Sequence, residues 1–471
     1  MATINELPNE LLINILEHLV DHVPRPIGDL VALSFTSTRF RTVTEPLLYH
    51  TYEGHRYTLG YPHQHLFAET LVEQLALSKH VRKLDLALHR VIEDRPWRDS
   101  MTTTRAIATT KLQNAVEELG LPSPITADWK RALECADRQA FAANILFSTS
   151  RTVEDLCLRY DHRRFEDDPS SPARWYQYNW LFVALRLATM QQGLAINSFQ
   201  NLRTLKMVRQ NGTAHAPLSP LSFVFRLPYL RHFEAHGHYD HKLGASSRPW
   251  DIGAIPRDGD WYGIDPSPIE TMVFRDADLG SSTVSLLIRT CKALKHLDLE
   301  IVPQGSIGVI IDYLRIDRAL HCHAGSLESI RIDILGSHEQ RASVAWESDQ
   351  HIRFSLTSLP LFPTLKCLKL PINAILPFDN ALNLNVLDTS PMCQSRLGSY
   401  LPLSIEDLSF NTQIQQRGAI FYEMYDLAEK DLRSFTKLQR IHILDTEPQD
   451  PGWCILKEKF TEANVELTVE Y

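Results

Sequence analysis

The sequence predicts an α/β fold in two unequal parts: three helices over residues 1–52, then an irregular repeat array over 53–471 with its strands in a curved parallel sheet. Three observations predict it. An apolar run near the amino terminus covers more of a helix surface than a small module needs. From about residue 80 one short pattern, apolar at i, i+3 and i+5, recurs eleven times. Between its copies lie segments with helical periodicity.

The first helix belongs to LPNELLINILEHL, Leu7 to Leu19. Pro8 suits a first helical position, where its missing N–H costs nothing. Glu10 falls in the first turn, facing the positive end of the helix dipole. At about 100° per residue, Leu11, Leu12, Ile13, Ile15, Leu16, Leu19 and Val20 cover an arc of roughly 200°, against about 100° for an ordinary amphipathic helix. Asn9, Glu10, Asn14, Glu17 and His18 share the remainder. One face can pack on the following helices, and the other calls for a second surface. A module of about 50 residues is marginal on its own core, so the surplus points to a partner. The competing reading of the pattern is a wholly buried core helix. Asp29 is expected to cap a second helix from Leu30, carrying Leu30, Val31, Leu33 and Phe35. Ser37 or Thr38 caps a third, with Phe40 and Val43, stopped before Pro46.

The stretch LPNELLINILEHL…DLVALSFTSTRFRTVTEPLLYHTY resembles an F-box, particularly the fungal kind. The resemblance implies a short helical module that docks on a Skp-type adaptor, which links it to a cullin scaffold in a ubiquitin ligase. Leu7 and Pro8 fall on the family's Leu-Pro signature. Glu10, Leu11, Leu12, Ile15, Leu16 and Leu19 fall on its first helix, and Leu30, Leu33 and Phe40 on its later apolar positions. These eleven are the adaptor-binding residues the resemblance implies. The link VDHVPRPIGD is longer and richer in proline than is usual in the family. Its Val-Cys and Trp positions read Phe35-Thr36 and Phe40 here.

Composition bounds the rest. A net charge of −9 argues against a partner recognised mainly through phosphates, so no nucleic acid is expected. With 44% apolar residues there is material for a large core. No run of about 18 apolar residues occurs, so no membrane span is expected, and MATINELPNE lacks the features of a signal peptide. Seven scattered cysteines without CxxC pairs fit reduced thiols in cytoplasm or nucleus. Cys157 and Cys367, inside strand-like runs, read as packing residues.

The repeated pattern appears as VRKLDL (Val81, Leu84, Leu86), VEDLCL (Val153), LRTLKM (Leu202), LRHFEA (Leu230), IETMVF (Ile269) and LKHLDL (Leu294). It continues as LESIRI (Leu327), LKCLKL (Leu365), LNVLDT (Leu384), IEDLSF (Ile405) and LQRIHI (Leu438). The last two apolar positions of each copy alternate like a strand with one buried face, and the first turns the corner into it. From Met272 the copies are spaced 25, 33, 38, 19, 21 and 33 residues. Leucine-rich repeats run about 20–29 residues, so this is an irregular version, and the chain resembles the leucine-rich-repeat class of F-box proteins. Helices are expected in HLFAETLVEQLALS, WYQYNWLFVALRLATMQQ and SIGVIIDYLRIDRALHC, and VELTVEY reads as a capping strand. Spacings of 72 and 49 in the first half leave room for insertions. One, around residues 90–150, contains paired helices from Ala127 to Ser148; it is either a binding element or loosely ordered decoration.

No catalytic motif is present: no GxSxG, GxxxxGK[ST], HExxH or GxGxxG. The cluster HFEAHGHYDH (His232, His236, His238, Asp240, His241) has metal-ligand chemistry, but solvated histidines of a strand and the loop after it are the default, so neither metal nor cofactor is expected. The insertion 236–268 holds Trp250, Trp261 and Tyr262, residue types that anchor interfaces; packing over the array is the alternative. The run RRFEDDPSSP reads as a solvent loop. Residues alternating with the buried pairs, among them His296, Asp298, Glu300, Arg331 and Asp333, should line an open concave face whose mixed charge suits a protein or peptide. Together with the resemblance, these readings imply a non-catalytic ligase subunit that holds an unknown protein target.

Overall fold

The computed structural model describes residues 4–22, 26–54, 64–87, 102–121, 123–135, 137–160, 185, 199–209, 216–217, 224–239, 266–302, 311–334, 356–375, 397–411, 417–444 and 451–470. They belong to two compact units, Met1–Ala214 with Arg226–Leu230, and His215–Phe225 with Arg231–Tyr471.

The first unit opens with α1 (Asn9–His22), α2 (Pro26–Ser34) and α3 (Thr38–His50). They close around Leu12, Leu16, Leu30, Phe40 and Val43, with Leu7, Leu19, Leu33, Leu47 and Leu48 packed against that core. Two boundaries differ from expectation. α2 begins at Pro26, not Leu30, with Asp29 inside its first turn; proline is suited to a helix start, so part of the supposed link is helical. α3 is capped as expected, Ser37 Oγ accepting from the Phe40 N–H at 3.1 Å, but it runs through Pro46 to His50. An interior proline costs about 3 kcal/mol. Continuing the helix places Leu47 and Leu48 against the core, which offsets that loss.

β1 (Thr51–Glu53), a strand the pattern reading missed, follows α3 directly and pairs in parallel with β2 (Lys83–Ala87). The junction is tight: Arg82 N donates to His50 O at 2.9 Å, and Gly54 N to Asp85 O at 2.8 Å. A Cβ on Gly54 would come within 3.2 Å of that oxygen and of the Tyr52 ring. Tyr52 stacks on Phe67 of α4 (Gln64–Glu73) at 4.2 Å. β3 (Asp155–Tyr160) and β4 (Thr204–Arg209) extend the parallel order. The insertion before β3 forms α5 (Thr102–Glu118), α6 (Ser123–Glu134) and α7 (Arg138–Thr149). Leu112, Val116, Trp129, Leu133, Ile145 and Leu146 are fully buried there, so these three helices carry a packed core and are not loose decoration. The helix expected in WYQYNWLFVALRLATMQQ lies outside the described residues apart from buried Leu185, and RRFEDDPSSP lies wholly outside.

The second unit contains β5 (His232–His236), β6 (Thr271–Ala277), α8 (Ser281–Thr290), β7 (His296–Ile301), α9 (Tyr313–Leu320), β8 (Ser329–Ile334) and β9 (Cys367–Pro371). β10 (Asp407–Asn411), α10 (Arg417–Asp426), β11 (Arg440–Leu444), α11 (Pro451–Glu462) and β12 (Glu466–Val469) complete it. β5 to β12 pair in parallel, in chain order. Ten of the eleven copies form strands. LNVLDT lies outside the described residues, and the strands flanking it, β9 and β10, pair directly. VELTVEY supplies β12. Within each strand the alternating apolar pair is buried, as with Leu297 and Leu299 at 1% exposure. The helix expected in SIGVIIDYLRIDRALHC is observed from Tyr313. α11 ends where Asn464 takes φ +60°, a left-handed conformation that asparagine tolerates, and Val465 N closes onto Phe460 O.

Two devices recur at the strand entrances. The residue before the first apolar position often donates to the preceding turn: Thr152 to Ser78 O, Asn201 to Arg151 O, Ser326 to Leu294 O, Thr364 to Leu327 O and Ser404 to Leu365 O. The residue after it alternates in sign, as Arg231, Glu270, Lys295, Glu328, Lys366 and Glu406, and each N–H donates to the preceding one's carbonyl.

His323 gives a pH-dependent expectation. Its Nδ1 accepts from Leu294 N at 3.3 Å, and its Nε2 lies 2.9 Å from Ile288 O, which fixes a neutral ring with the proton on Nε2. Burial lowers its pKa below the ordinary 6.5, against the opposing bond to Ile288. The folded state thus disfavours the proton that the unfolded chain takes up. This contribution to stability is complete above pH 6.5 and is lost as pH falls from there toward the depressed folded value. Melting temperatures at pH 7.5 and 5.5 should drop further for the parent than for His323→Gln; equal drops would show that His323 is not responsible.

Candidate functional site

The three-helix module leaves an apolar surface uncovered. Leu12 and Leu16 face its core, so the residues just before them turn outward: Leu11 is 48% exposed and Ile15 49%. Ile27 and Val31 on α2, with Phe35 in the turn just after it, form a second stripe, and Phe35 is 80% exposed. Arg39 holds the start of α1, donating to Asn9 Oδ1 at 3.0 Å and to the Leu7 carbonyl. The set implied by the resemblance divides by exposure. Leu12, Leu16, Leu30 and Phe40 form the interior, and Leu7, Leu19 and Leu33 are packed against it. Only Pro8, Glu10, Leu11 and Ile15 of that set are exposed. Ile13, Val31 and Phe35, outside that set, are also exposed, and helical spacing puts Val31 and Phe35 one turn apart.

The second surface is the sheet face bearing the residues that alternate with the buried pairs, here called the open face. In the second unit it carries a linked charge network. Arg275 donates to both Asp298 oxygens at 2.9 and 2.5 Å and lies 3.6 Å from Glu300. Arg331 stands 3.6 Å from Asp298 and 3.5 Å from Asp333. Lys369 Nζ is 3.1 Å from Asp333, and Asn411 Nδ2 donates to it at 2.9 Å. Burial opposes the Asp333 charge, but the bonds from Asn411 and Lys369 outweigh it and hold the pKa below the usual carboxylate value. Asp333 is therefore a buried organiser, not the accessible contact expected from alternation. Arg275 was missed, although it occupies the same place in its copy as Glu300. His296 lies half-buried on this face beside the network. Arg440 donates to both Asp407 oxygens, which lowers that carboxyl's pKa. In the first unit Arg159 Nε similarly takes both oxygens of Asp85, at 2.8 and 2.9 Å.

β5 reaches His236, so His232 and His236 both stand on the strand, 3.4 and 2.7 Å from Glu234. His238 is buried and is not a solvated loop residue. Asp240 and His241 lie outside the described residues, as do Trp250, Trp261 and Tyr262. Among the described residues no group of three His, Cys, Asp or Glu side chains is placed to hold a metal ion, and no helix is long and apolar enough to cross a membrane. Cys157 and Cys367 alternate out to the open face and are not core residues; Cys367 Sγ lies 3.6 Å from Asp407 Oδ2. Burial pushes the Cys291 thiol up to about 12, which keeps it protonated and unreactive.

Residues 4–53 match the F-box-like family. The match spans α1, α2, α3 and β1, so the chain carries an F-box-like domain with the uncovered apolar surface upon it. No curated protein matches the chain.

Proposed function

We propose that the chain is a target-receptor subunit of a Skp–cullin–F-box ubiquitin ligase, acting without catalysis of its own in cytoplasm or nucleus. The F-box-like span carries the proposal, supported by Leu11, Ile15, Val31 and Phe35 standing uncovered on it. Residues 1–52 would dock a Skp-type adaptor and through it a cullin. Residues 53–471 would form a leucine-rich-repeat-like solenoid whose open face holds a protein target. Support for the solenoid comes from one strand in each of the ten described repeat copies, laid parallel in chain order within each unit. Because α3 runs directly into β1, a target held near the first strands would have a fixed orientation to the adaptor. The second reading is an F-box scaffold that recruits nothing for degradation. Affinity capture from cells with the proteasome blocked separates them: a ligase subunit should bring down adaptor, cullin and ubiquitinated proteins together. Adaptor without cullin would favour the scaffold, and neither partner would overturn both.

A further inference from the structure

Among the described residues, three buried side-chain nitrogen or oxygen atoms without a hydrogen-bond partner lie on one line. They are Arg331 Nε, Ser409 Oγ and His442 Nε2. Strand register sets Arg331 beside Lys369, Lys369 beside Ser409, and Ser409 beside His442 on the open face. Strands lie about 4.8 Å apart, so the line is roughly 14 Å long. The nearest carboxylates do not satisfy these atoms. Arg331 Nε is 3.6 Å from Asp298, and His442 Nε2 is 3.2 Å from Glu470 without hydrogen-bond alignment. Each of the three atoms thus keeps hydrogen-bonding capacity that a ligand on this face would satisfy. Lys369, engaged with Asp333, has further protons to donate.

Charge on the open face is divided. Over β8–β11, Arg331, Lys369 and Arg440 face Asp333 and Asp407, three cations to two anions. Over β5–β7, Arg275 faces Glu234, Asp298 and Glu300, one to three. On the other side Glu466 and Glu470 flank β11. An anion would therefore be favoured along the line and opposed on both sides of it.

We propose that the line binds an acidic side chain of an extended target peptide, its carboxylate seated over Lys369 and Ser409 within reach of Arg331 and His442. The acidic zone of β7 then takes a basic residue of the same peptide. About two and a half strand spacings separate the two, which an extended chain covers in roughly four residues. The inference rests on the reading that the open face receives the target. A random dodecapeptide library selected on the full chain tests it. Recovered peptides should be enriched about tenfold in Asp or Glu, with Lys or Arg about four positions away, as one charged hydrogen bond allows. Arg331→Gln with Lys369→Gln should abolish the acidic preference. Recovered peptides without that preference would overturn the inference and leave the receptor reading intact; recovery of none would overturn both. Ser409→Asp supplies a carboxylate from the chain itself. It should raise the melting temperature and suppress acidic peptides, whereas Ser409→Lys should lower the melting temperature. A Ser409→Asp chain that melts earlier or fails to fold would overturn the anion site.

Discussion

Leu297→Asp is expected to unfold the second unit. Leu297 is 1% exposed on β7, between its register partners Met272 and Ile330, which are equally buried. A carboxylate there meets only apolar side chains, and the remedy of taking up a proton still leaves a buried acid without a partner. Losses of this kind exceed about 4–5 kcal/mol, most of the 5–15 kcal/mol that holds a typical domain together. Each strand here pairs with its sequence neighbours, so disruption at β7 should spread to β6 and β8. The neighbouring change Asp298→Ala is the control. Asp298 points to the opposite face and is partly exposed, though not idle, since it holds Arg275 and stands near Arg331. Its loss should cost about 1 kcal/mol, the upper range for exposed ion pairs. Denaturant melts of both variants decide the matter. Equal shifts would mean that the inward and outward assignments of β7 are wrong.

That contrast also shows what the sequence made legible. Alternation is local, so LKHLDL or LESIRI reveals which side chains turn inward without knowledge of any neighbour. What lies opposite a residue is not local. Asp333 looks like an ordinary outward residue in LESIRID, and its burial depends on Lys369 and Asn411 from two later strands. Cys157 and Cys367 were misplaced because a small thiol in an apolar run suggests packing, while the period of two puts both outside. β1 escaped notice for a different reason: three residues, TYE, carry no periodicity, and only the partner strand at Lys83 makes them a strand. Pro46 misled because local chain stiffness argued for a stop, whereas burial of Leu47 and Leu48 favoured continuing. The alternating charges from Arg231 to Glu406 were visible all along, but only as a relation between copies. Each copy taken alone conceals it.

On the F-box-like module the expected result is loss of binding without loss of fold. Leu11→Asp with Ile15→Asp places charges on residues that are half-exposed and contribute little to the core of Leu12, Leu16, Leu30, Phe40 and Val43. Stability should therefore stay within about 0.5 kcal/mol of the parent. If these residues are anchors, each is worth about 2 kcal/mol or more, and capture of a Skp-type adaptor should fall by at least about a hundredfold. Leu12→Ala gives the opposite pattern. It opens a cavity in the core and should cost about 2–5 kcal/mol of stability, weakening adaptor capture only through unfolding. Leu7 and Pro8, implied by the resemblance, form a third case. Leu7 is packed on the core and its carbonyl is held by Arg39, so its replacement mixes the two effects and cannot separate docking from folding. Adaptor titrations beside thermal melts, on the same preparations, distinguish the cases. A double variant that is folded and still captures the adaptor at parental strength would remove this face from the docking surface and leave Val31 on α2 and Phe35 just after it to carry it.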